Sequence, residues 1–242
     1  NRLTSIYKNA FENDQIKVIS GGELAHLNAG EFDVQLPVGS MTEFMDMNPE
    51  KRILNAENSI LRCDMAKVKK QRRIYSEWDG GNWKKVVGIS WMGGGRAKRI
   101  KVKSIELEQL INLFTSNPDT LFVSLQYGAS EKHFKGLRKR GVKNVILDDK
   151  YDSLSRFEEW LVQVKACDKI VSIANTTIHA AGGLGVPTMC LLSRQFDWRW
   201  CDEDVFEGCY WYPSVKSARE DVQEREGSWT KAITTVEGWV RE

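Results

Sequence analysis

Two stretches of the sequence carry residue types that bind phosphate groups. In the first, three consecutive glycines, Gly93, Gly94 and Gly95, are followed by Arg96. A turn of glycines lets backbone N–H groups close around phosphate oxygens, and the neighbouring arginine supplies positive charge. The run is neither a GxGxxG fingerprint nor a Walker sequence, because no Gly-Lys-Ser/Thr follows it. A plain flexible turn is therefore the alternative interpretation.

The second stretch is a polar sequence that begins a helix. Asn175, Thr176 and Thr177 follow a short apolar run and precede several small residues. The free N–H groups in the first turn of a helix attract anions together with the helix dipole. The alternative is an ordinary strand–helix connection with a good cap. One turn further on, His179 is either a structural hydrogen-bonding residue or an acid–base group working with Asp197.

An alternation of apolar strands and amphipathic helices positions both stretches. Buried strands are predicted at residues 86–91, 121–126, 142–147, 168–173 and 189–192. Helices are predicted between them at residues 104–116, 130–140, 155–166 and from 177 onward. This alternation, with short connections, predicts an α/β, Rossmann-like parallel sheet with helices on both faces.

In such a sheet, ligands bind beyond the carboxyl ends of the strands. Gln126 follows the second predicted strand, and Asp149 and Tyr151 follow the third. These residues are therefore expected at the same edge as the two phosphate-binding stretches. The combination is typical of a site for a diphosphate with a nucleotide base beside it.

The first part of the chain is predicted to form a separate, partial α/β unit over residues 1–62. Its expected elements are helices at 2–11 and 40–47 and strands at 16–19 and 32–36. A connecting helix and linker occupy residues 63–84, and a complete domain occupies residues 85–242, ending in an aromatic cluster and a helix at 229–240.

Composition and charge exclude several classes of protein. The net charge of +2 does not indicate nucleic-acid binding. No apolar run reaches the roughly 18 residues of a membrane span, and no signal peptide is visible. The five cysteines are scattered, so a zinc site and a disulfide framework are not expected, and a cytoplasmic setting fits best. The first residue, Asn1, indicates a processed chain or a fragment.

Six motifs occur in a fixed order along the second domain. They are VGISWMG at 87–93, KSI at 103–105, SLQYG at 124–128, NTTIHAAGGLGVP at 175–187, DWRW at 197–200 and WYPS at 211–214. Together they resemble the C-terminal, donor-binding half of bacterial glycosyltransferases attached to tetratricopeptide repeats. Those enzymes are similar to O-GlcNAc transferase and to the lipopolysaccharide heptosyltransferases, and they have the GT-B fold. Residues 1–62 resemble the last portion of that family's acceptor domain.

The resemblance implies a role for each candidate residue. Thr176 and Thr177 would bind the donor diphosphate, residues 93–95 would face it across the cleft, and Gln126 would reach the phosphate or ribose. The loop at 149–151 would flank the base. This sequence departs from the family at Lys103, where an arginine is common, and at residues 99–100, where Asn-Asp is common. The glycine-rich loop and catalytic base of the acceptor side have no counterpart.

The function implied by the resemblance is transfer of a sugar from a UDP-, GDP- or ADP-linked donor to a protein, glycan or lipid-linked acceptor. Neither a cofactor nor a metal ion is expected. One alternative is a non-catalytic module that binds a nucleotide or a partner. Another is an unrelated Rossmann-type nucleotide enzyme, which the absence of a GxGxxG and its downstream acid disfavours.

Overall fold

The computed structural model describes residues 3–28, 30, 32–37, 40, 44, 59–95, 100, 102–197, 200, 209–220 and 228–242. Within these ranges the strands are β1 (Lys85–Ser90), β2 (Thr120–Ser124), β3 (Val145–Leu147), β4 (Lys169–Ile173), β5 (Thr188–Leu192) and β6 (Val215–Arg219). The helices are α1 (Thr4–Phe11), α2 (Gly21–Leu24), α3 (Met65–Ser76), α4 (Ile111–Thr115), α5 (Glu131–Lys139), α6 (Phe157–Lys165), α7 (Thr176–Gly183) and α8 (Thr230–Arg241). Two 3₁₀ turns lie at Trp78–Gly80 and Leu107–Leu110.

The strands form one sheet in the order β3-β2-β1-β4-β5-β6, and every neighbouring pair is parallel. This is the order of doubly wound nucleotide-binding sheets, in which the chain moves outward from the middle in both directions. The direction changes between β1 and β4, where Val87 pairs with Lys169 and Ser90 with Ser172. The predicted α/β, Rossmann-like parallel sheet is confirmed.

Helices cover both faces of the sheet, as predicted. Successive strand residues point to opposite faces, so Val86 and Val87 belong to different apolar cores. Helices α4, α5 and α8 share one core with Val87, whereas α3, α6 and α7 share the other with Val86. The side chains of Phe114 and Tyr75, one in each core, are fully buried.

The sixth strand, β6, is absent from the sequence-based prediction. Its alternation of Val215 and Ala218 with Lys216 and Arg219 leaves only two apolar side chains for the core. An edge strand needs fewer apolar residues than a central one, because it has one neighbour and more contact with solvent. The buried apolar run that marks the other strands is therefore missing from β6.

The predicted strands at residues 16–19 and 32–36 are wrong, because neither segment is a strand in the structure. Ser20 and Glu23 instead form a capping box that begins α2. At 32–36 the apolar and polar residues do alternate, but Phe32, Val34 and Leu36 are 53%, 70% and 47% exposed. Alternation alone does not make a strand, because a strand also needs a hydrogen-bonding neighbour. Most of the predicted helix at 40–47 lies outside the described residues.

Two predicted helix starts are also wrong. Ser104 does not cap a helix, because its hydroxyl bonds to the backbone at Gly93 and Ile100, and the 3₁₀ turn begins at Leu107. Ser155 and Glu158 form no capping box for α6. The Ser155 hydroxyl donates to Asp152 Oδ2 at 2.6 Å, so a local aspartate turn has taken the residue that was expected to cap the helix.

The predicted connecting helix, α3, is a fixed part of one layer. Asp64 caps its first turn by accepting from the N–H groups of Ala66 and Lys67. Arg72 donates to both carboxylate oxygens of Asp168, at 3.2 and 2.7 Å. Asp168 also accepts from the N–H of Val86 at 2.8 Å, so this ion pair ties α3 directly to the beginning of β1 and β4.

Candidate functional site

A cleft of about 520 Å³ opens where the strand order changes direction between β1 and β4. We call it the main cleft. Seven residues that the sequence predicted for a ligand site line it, namely Gly93, Gly94, Gly95, Gln126, Asn175, Thr176 and Thr177. The two phosphate-binding stretches and the end of β2 therefore meet in one place, as the topology of a parallel sheet requires.

A chain of hydrogen bonds joins the ends of three neighbouring strands beside the main cleft. Asn175 Nδ2 donates to Ser90 Oγ at 2.7 Å, and Ser90 Oγ donates to Gln126 Oε1 at 2.9 Å. The same Gln126 oxygen accepts from the N–H groups of Trp91 and Met92, at 3.0 and 2.8 Å. Gln126 thus holds the end of β1, and an N–H of its side-chain amide is what it retains for a ligand.

Asn175, not a threonine, caps helix α7. Its Oδ1 accepts from the N–H of Thr177 at 2.9 Å, so that N–H is not available to an anion. The side chain of Thr177 is only 3% exposed, and its hydroxyl has no hydrogen-bond partner among the described residues. The more accessible Thr176 also has a free hydroxyl and a free N–H within the described ranges. These unpaired groups face the main cleft.

The glycine turn forms the opposite wall of the main cleft. The N–H of Gly93 donates to Ser104 Oγ at 3.0 Å, which fixes the beginning of the turn. Gly95 has φ +113°, a conformation that side chains other than glycine rarely adopt. At Gly94 an added Cβ would meet no atom within 4 Å, so this backbone borders open space. The N–H groups of Gly94 and Gly95 have no partner in the described part of the chain.

A smaller chamber of about 220 Å³ adjoins the main cleft, and the two share Gln126, Tyr127 and Trp160 among their lining residues. We call it the side chamber. Asp149 and Tyr151 line it, so both predicted base-flanking residues lie beside the main cleft rather than in it. Burial and the charge of Asp148 raise the pKa of Tyr151, so its phenol is protonated at neutral pH and can donate a hydrogen bond.

His179 is not among the residues that line either space. Its Nδ1 lies 3.1 Å from the hydroxyl of Tyr212, and its ring stacks on Trp200 with 5.6 Å between centroids. The structure therefore favours the structural interpretation of this histidine. Tyr212 also packs against Gly182, and Leu61 packs against Gly183. The small residues of α7 thus accommodate neighbouring side chains, not a ligand.

The described lining of the main cleft carries no charged side chain. Lys103 lies next to it, since a Cβ added at Gly93 would be 3.5 Å from the Cβ of Lys103. Arg96, which the sequence predicted to supply positive charge, lies outside the described residues. The backbone N–H groups and the threonine hydroxyls are therefore the described anion-binding groups.

Two residues of this region were missed by the sequence prediction. Ser90 is 4% exposed and is the central member of the hydrogen-bond chain. A polar residue at the end of an apolar strand was a signal for it, because buried polar groups need partners. Tyr127 is 58% exposed and lines both spaces. An aromatic residue directly after a predicted strand was the corresponding signal for a stacking surface.

Two further kinds of feature are absent from the described residues. No group of three or more His, Cys, Asp or Glu side chains there is arranged to hold a metal ion. No helix in those ranges combines the length and the apolar character that crossing a bilayer requires. Protein-family models, curated proteins and solved structures give no match to the chain. The geometry of the cleft is therefore the basis for assigning a function.

Proposed function

We propose that the main cleft binds the diphosphate of a nucleotide sugar and that the protein is of the glycosyltransferase type. The six ordered motifs support this proposal, because each of the first four falls at or beside the carboxyl edge of the sheet. The observation that carries it is the buried hydroxyl of Thr177, which has no partner in the described part of the protein and lies at the switch point of the sheet. An unpaired buried hydroxyl costs free energy, and a ligand oxygen would satisfy it.

The donors around the main cleft match a diphosphate. On one wall are the N–H of Thr176 and the hydroxyls of Thr176 and Thr177, and on the other are the N–H groups of Gly94 and Gly95. The dipole of α7, an eight-residue helix, adds positive potential at the same end. Positive side chains would come from the basic run between Arg96 and Lys103.

The side chamber accommodates the nucleoside in this proposal. Tyr127 offers a half-exposed ring on which a base can stack, a contact worth about 1–3 kcal/mol per base. Tyr151 and Asp149 form a further part of the wall. A nucleotide would therefore place its diphosphate in the main cleft and its base in the side chamber.

In sugar transfer, the diphosphate is the leaving group, and the acceptor hydroxyl displaces it from the anomeric carbon. Negative charge grows on the bridging oxygen as the bond breaks. Hydrogen-bond donors that are already in place stabilise this charge without reorganising. The donors at Thr176, Thr177 and the glycine turn have this part in the proposal, and no metal ion is assigned to it.

A second candidate function is nucleotide binding without transfer. One observation favours it, because none of the described residues that line the main cleft is Asp, Glu or His. Those are the usual groups that remove a proton from an acceptor hydroxyl. The acceptor, whether protein, glycan or lipid-linked, would then be engaged by another part of the protein or not at all.

Calorimetric titration tests the shared part of both candidates. We expect at least one of UDP, GDP and ADP to bind, and inorganic diphosphate to bind more weakly than that nucleotide. A sugar-transfer assay with the corresponding nucleotide sugars then separates the enzyme from the binding module. If neither inorganic diphosphate nor any of the three nucleotides binds at millimolar concentration, the proposal is wrong.

A further inference from the structure

A buried polar network lies beneath the side chamber, and its centre is Asp148, the residue after β3. Gln71 Nε2 and the Tyr75 hydroxyl donate to Asp148 Oδ2, at 3.1 and 2.9 Å. Gln163 Nε2 donates to the backbone carbonyl of Asp148 at 3.3 Å. These four residues are 3%, 0%, 4% and 1% exposed, in the order Gln71, Tyr75, Asp148, Gln163. They belong to three separate segments, α3, α6 and the loop after β3.

The network has one end that reaches the side chamber. The Tyr151 hydroxyl donates to Gln71 Oε1 at 2.7 Å. The amide of Gln71 therefore accepts from Tyr151 on one side and donates to Asp148 on the other, which fixes its orientation. Burial raises the pKa values of both Tyr75 and Tyr151, so each phenol keeps the proton that it donates.

Anchoring α3 does not explain this network. Helix α3 is already held by the Arg72–Asp168 ion pair and by the apolar packing of Val68 and Tyr75. A buried carboxylate surrounded by polar groups is an expensive way to add a further anchor, because apolar side chains of similar volume usually stabilise a core at least as well. Fully satisfied polar networks do, however, fix a unique geometry.

The segment that needs such fixing is the loop carrying Tyr151. Residues 148–156 contain no helix or strand, so regular backbone structure does not set the direction of the Tyr151 ring. Within the described residues, the bond to Gln71 is the hydrogen bond made by its side chain. We infer that Gln71 and Asp148 are positioning residues, which hold the Tyr151 ring as the wall of the side chamber that contacts the base.

This inference rests on the proposed function and adds a specific consequence to it. The network should matter for the nucleoside part of a ligand and not for its diphosphate. The quantity that reports this is the ratio of two dissociation constants, that of inorganic diphosphate divided by that of UDP, GDP or ADP, whichever binds best. A purely structural role for the network would lower stability but leave this ratio unchanged.

The experiment uses Gln71→Leu, Tyr151→Phe and the double variant, each titrated with both ligands below its melting temperature. Each single variant should weaken nucleotide binding about 3- to 10-fold, the value of one neutral hydrogen bond, and leave diphosphate binding unchanged. The double variant should be no weaker than the single variants, because both changes break the same bond.

Arg72→Met is the matched control. It lies on the same helix and removes the other polar anchor of α3, but the Arg72 side chain contacts Asp168 and Ser76, not the side chamber. It should lower the melting temperature and leave the ratio unchanged. Tyr151→Phe keeps the experiment informative if Gln71→Leu folds poorly, because it removes a single oxygen from a partly buried ring.

Three outcomes would overturn the inference. A ratio that is unchanged in Tyr151→Phe would show that the network is structural only. Equal losses for nucleotide and diphosphate would show a general effect on the site. If the parent protein binds diphosphate but no nucleotide preferentially, the inference fails while the diphosphate site stands. If the parent binds neither, this inference and the proposed function fail together.

Discussion

Thr177 separates a ligand site from an ordinary capped helix more sharply than its neighbours do. Its N–H is used by the Asn175 cap, whereas its buried hydroxyl has no partner in the described structure. Thr177→Val keeps the shape and breaks no protein hydrogen bond in that part of the chain. Stability should therefore stay within about 0.5 kcal/mol. Loss of a hydrogen bond to a charged ligand should weaken nucleotide binding by about 1.5–3 kcal/mol, or roughly 10- to 150-fold, in calorimetric titration.

Thr188→Val is the control for this prediction. Thr188 is fully buried in β5, and its hydroxyl donates to the carbonyl of Val186 at 2.7 Å. Its replacement should cost about 1–3 kcal/mol of stability, because a buried carbonyl loses its donor, and should leave nucleotide affinity unchanged. If Thr177→Val behaves like Thr188→Val, the Thr177 hydroxyl is not part of a ligand site.

Gly94 gives a test of the opposite wall. An alanine Cβ there would meet no protein atom within 4 Å, and the backbone is not in the left-handed region. Gly94→Ala should therefore fold as well as the parent. If ligand oxygens approach this backbone closely, the added methyl should cost about 1–3 kcal/mol of binding, roughly 5- to 150-fold, for both inorganic diphosphate and nucleotides. Unchanged affinity would mean that the turn does not touch the ligand.

At the scale of elements, the sequence predicted whatever depends on local pattern. The apolar runs that became β1 to β5 are visible because both faces of a central parallel strand are buried. The polar edge strand β6 lacks that signal. The strand prediction at 32–36 used a valid pattern but had no means of showing whether a partner strand exists.

The same division applies to the site. The alternation of strands and polar loops along the chain is enough to place Gly93 and Thr177 at one edge of a parallel sheet. The hydrogen-bond chain from Asn175 through Ser90 to Gln126 could not be predicted, because it joins residues that are far apart in sequence and depends on the register of three strands. The role of His179 likewise depended on the aromatic rings that surround it in space.

Helix α8 offers a stability test that is independent of the site. The ammonium groups of Lys85 and Lys169 donate to the carbonyls of Val240 and Trp239, so positive charge lies at the carboxyl end of this helix. Gly238 is exposed in the last turns, and an added Cβ would meet nothing within 4 Å. Gly238→Ala should raise stability by about 0.4–1 kcal/mol, because alanine loses less backbone entropy on folding.

Thermal unfolding measures this effect, with an expected rise of about 1–4 °C for a domain of this size. Because Gly238 is remote from the cleft, the same variant is also the control for Gly94→Ala and should bind nucleotide as the parent does. A lower melting temperature would show that the end of α8 is not a regular helix in solution.

At the scale of the whole molecule, the charge that opposes the diphosphate must be identified. The described residues offer hydrogen-bond donors and no group of metal-binding side chains, and the basic run at 96–103 follows the glycine turn in sequence. We therefore expect nucleotide binding to persist in EDTA and to weaken as salt is raised, since screening reduces the attraction of exposed charges. Loss of binding in EDTA that magnesium or manganese restores would contradict the metal-free proposal.

The last prediction concerns turnover by the 242-residue chain itself. The described lining of the main cleft provides donors that stabilise a leaving diphosphate but no Asp, Glu or His that could take the proton of an acceptor hydroxyl. General base catalysis is typically worth 10²–10⁴-fold in rate. We therefore expect the purified chain to bind the donor nucleotide and to transfer its sugar poorly or not at all. Radiolabelled UDP-, GDP- and ADP-sugars, offered with protein, glycan and lipid-linked acceptors, measure both transfer and hydrolysis. Thr177→Val separates specific from background release, because any genuine turnover should fall with donor affinity. Efficient transfer by the chain that this variant abolishes would show that the catalytic base lies within residues 1–242 after all.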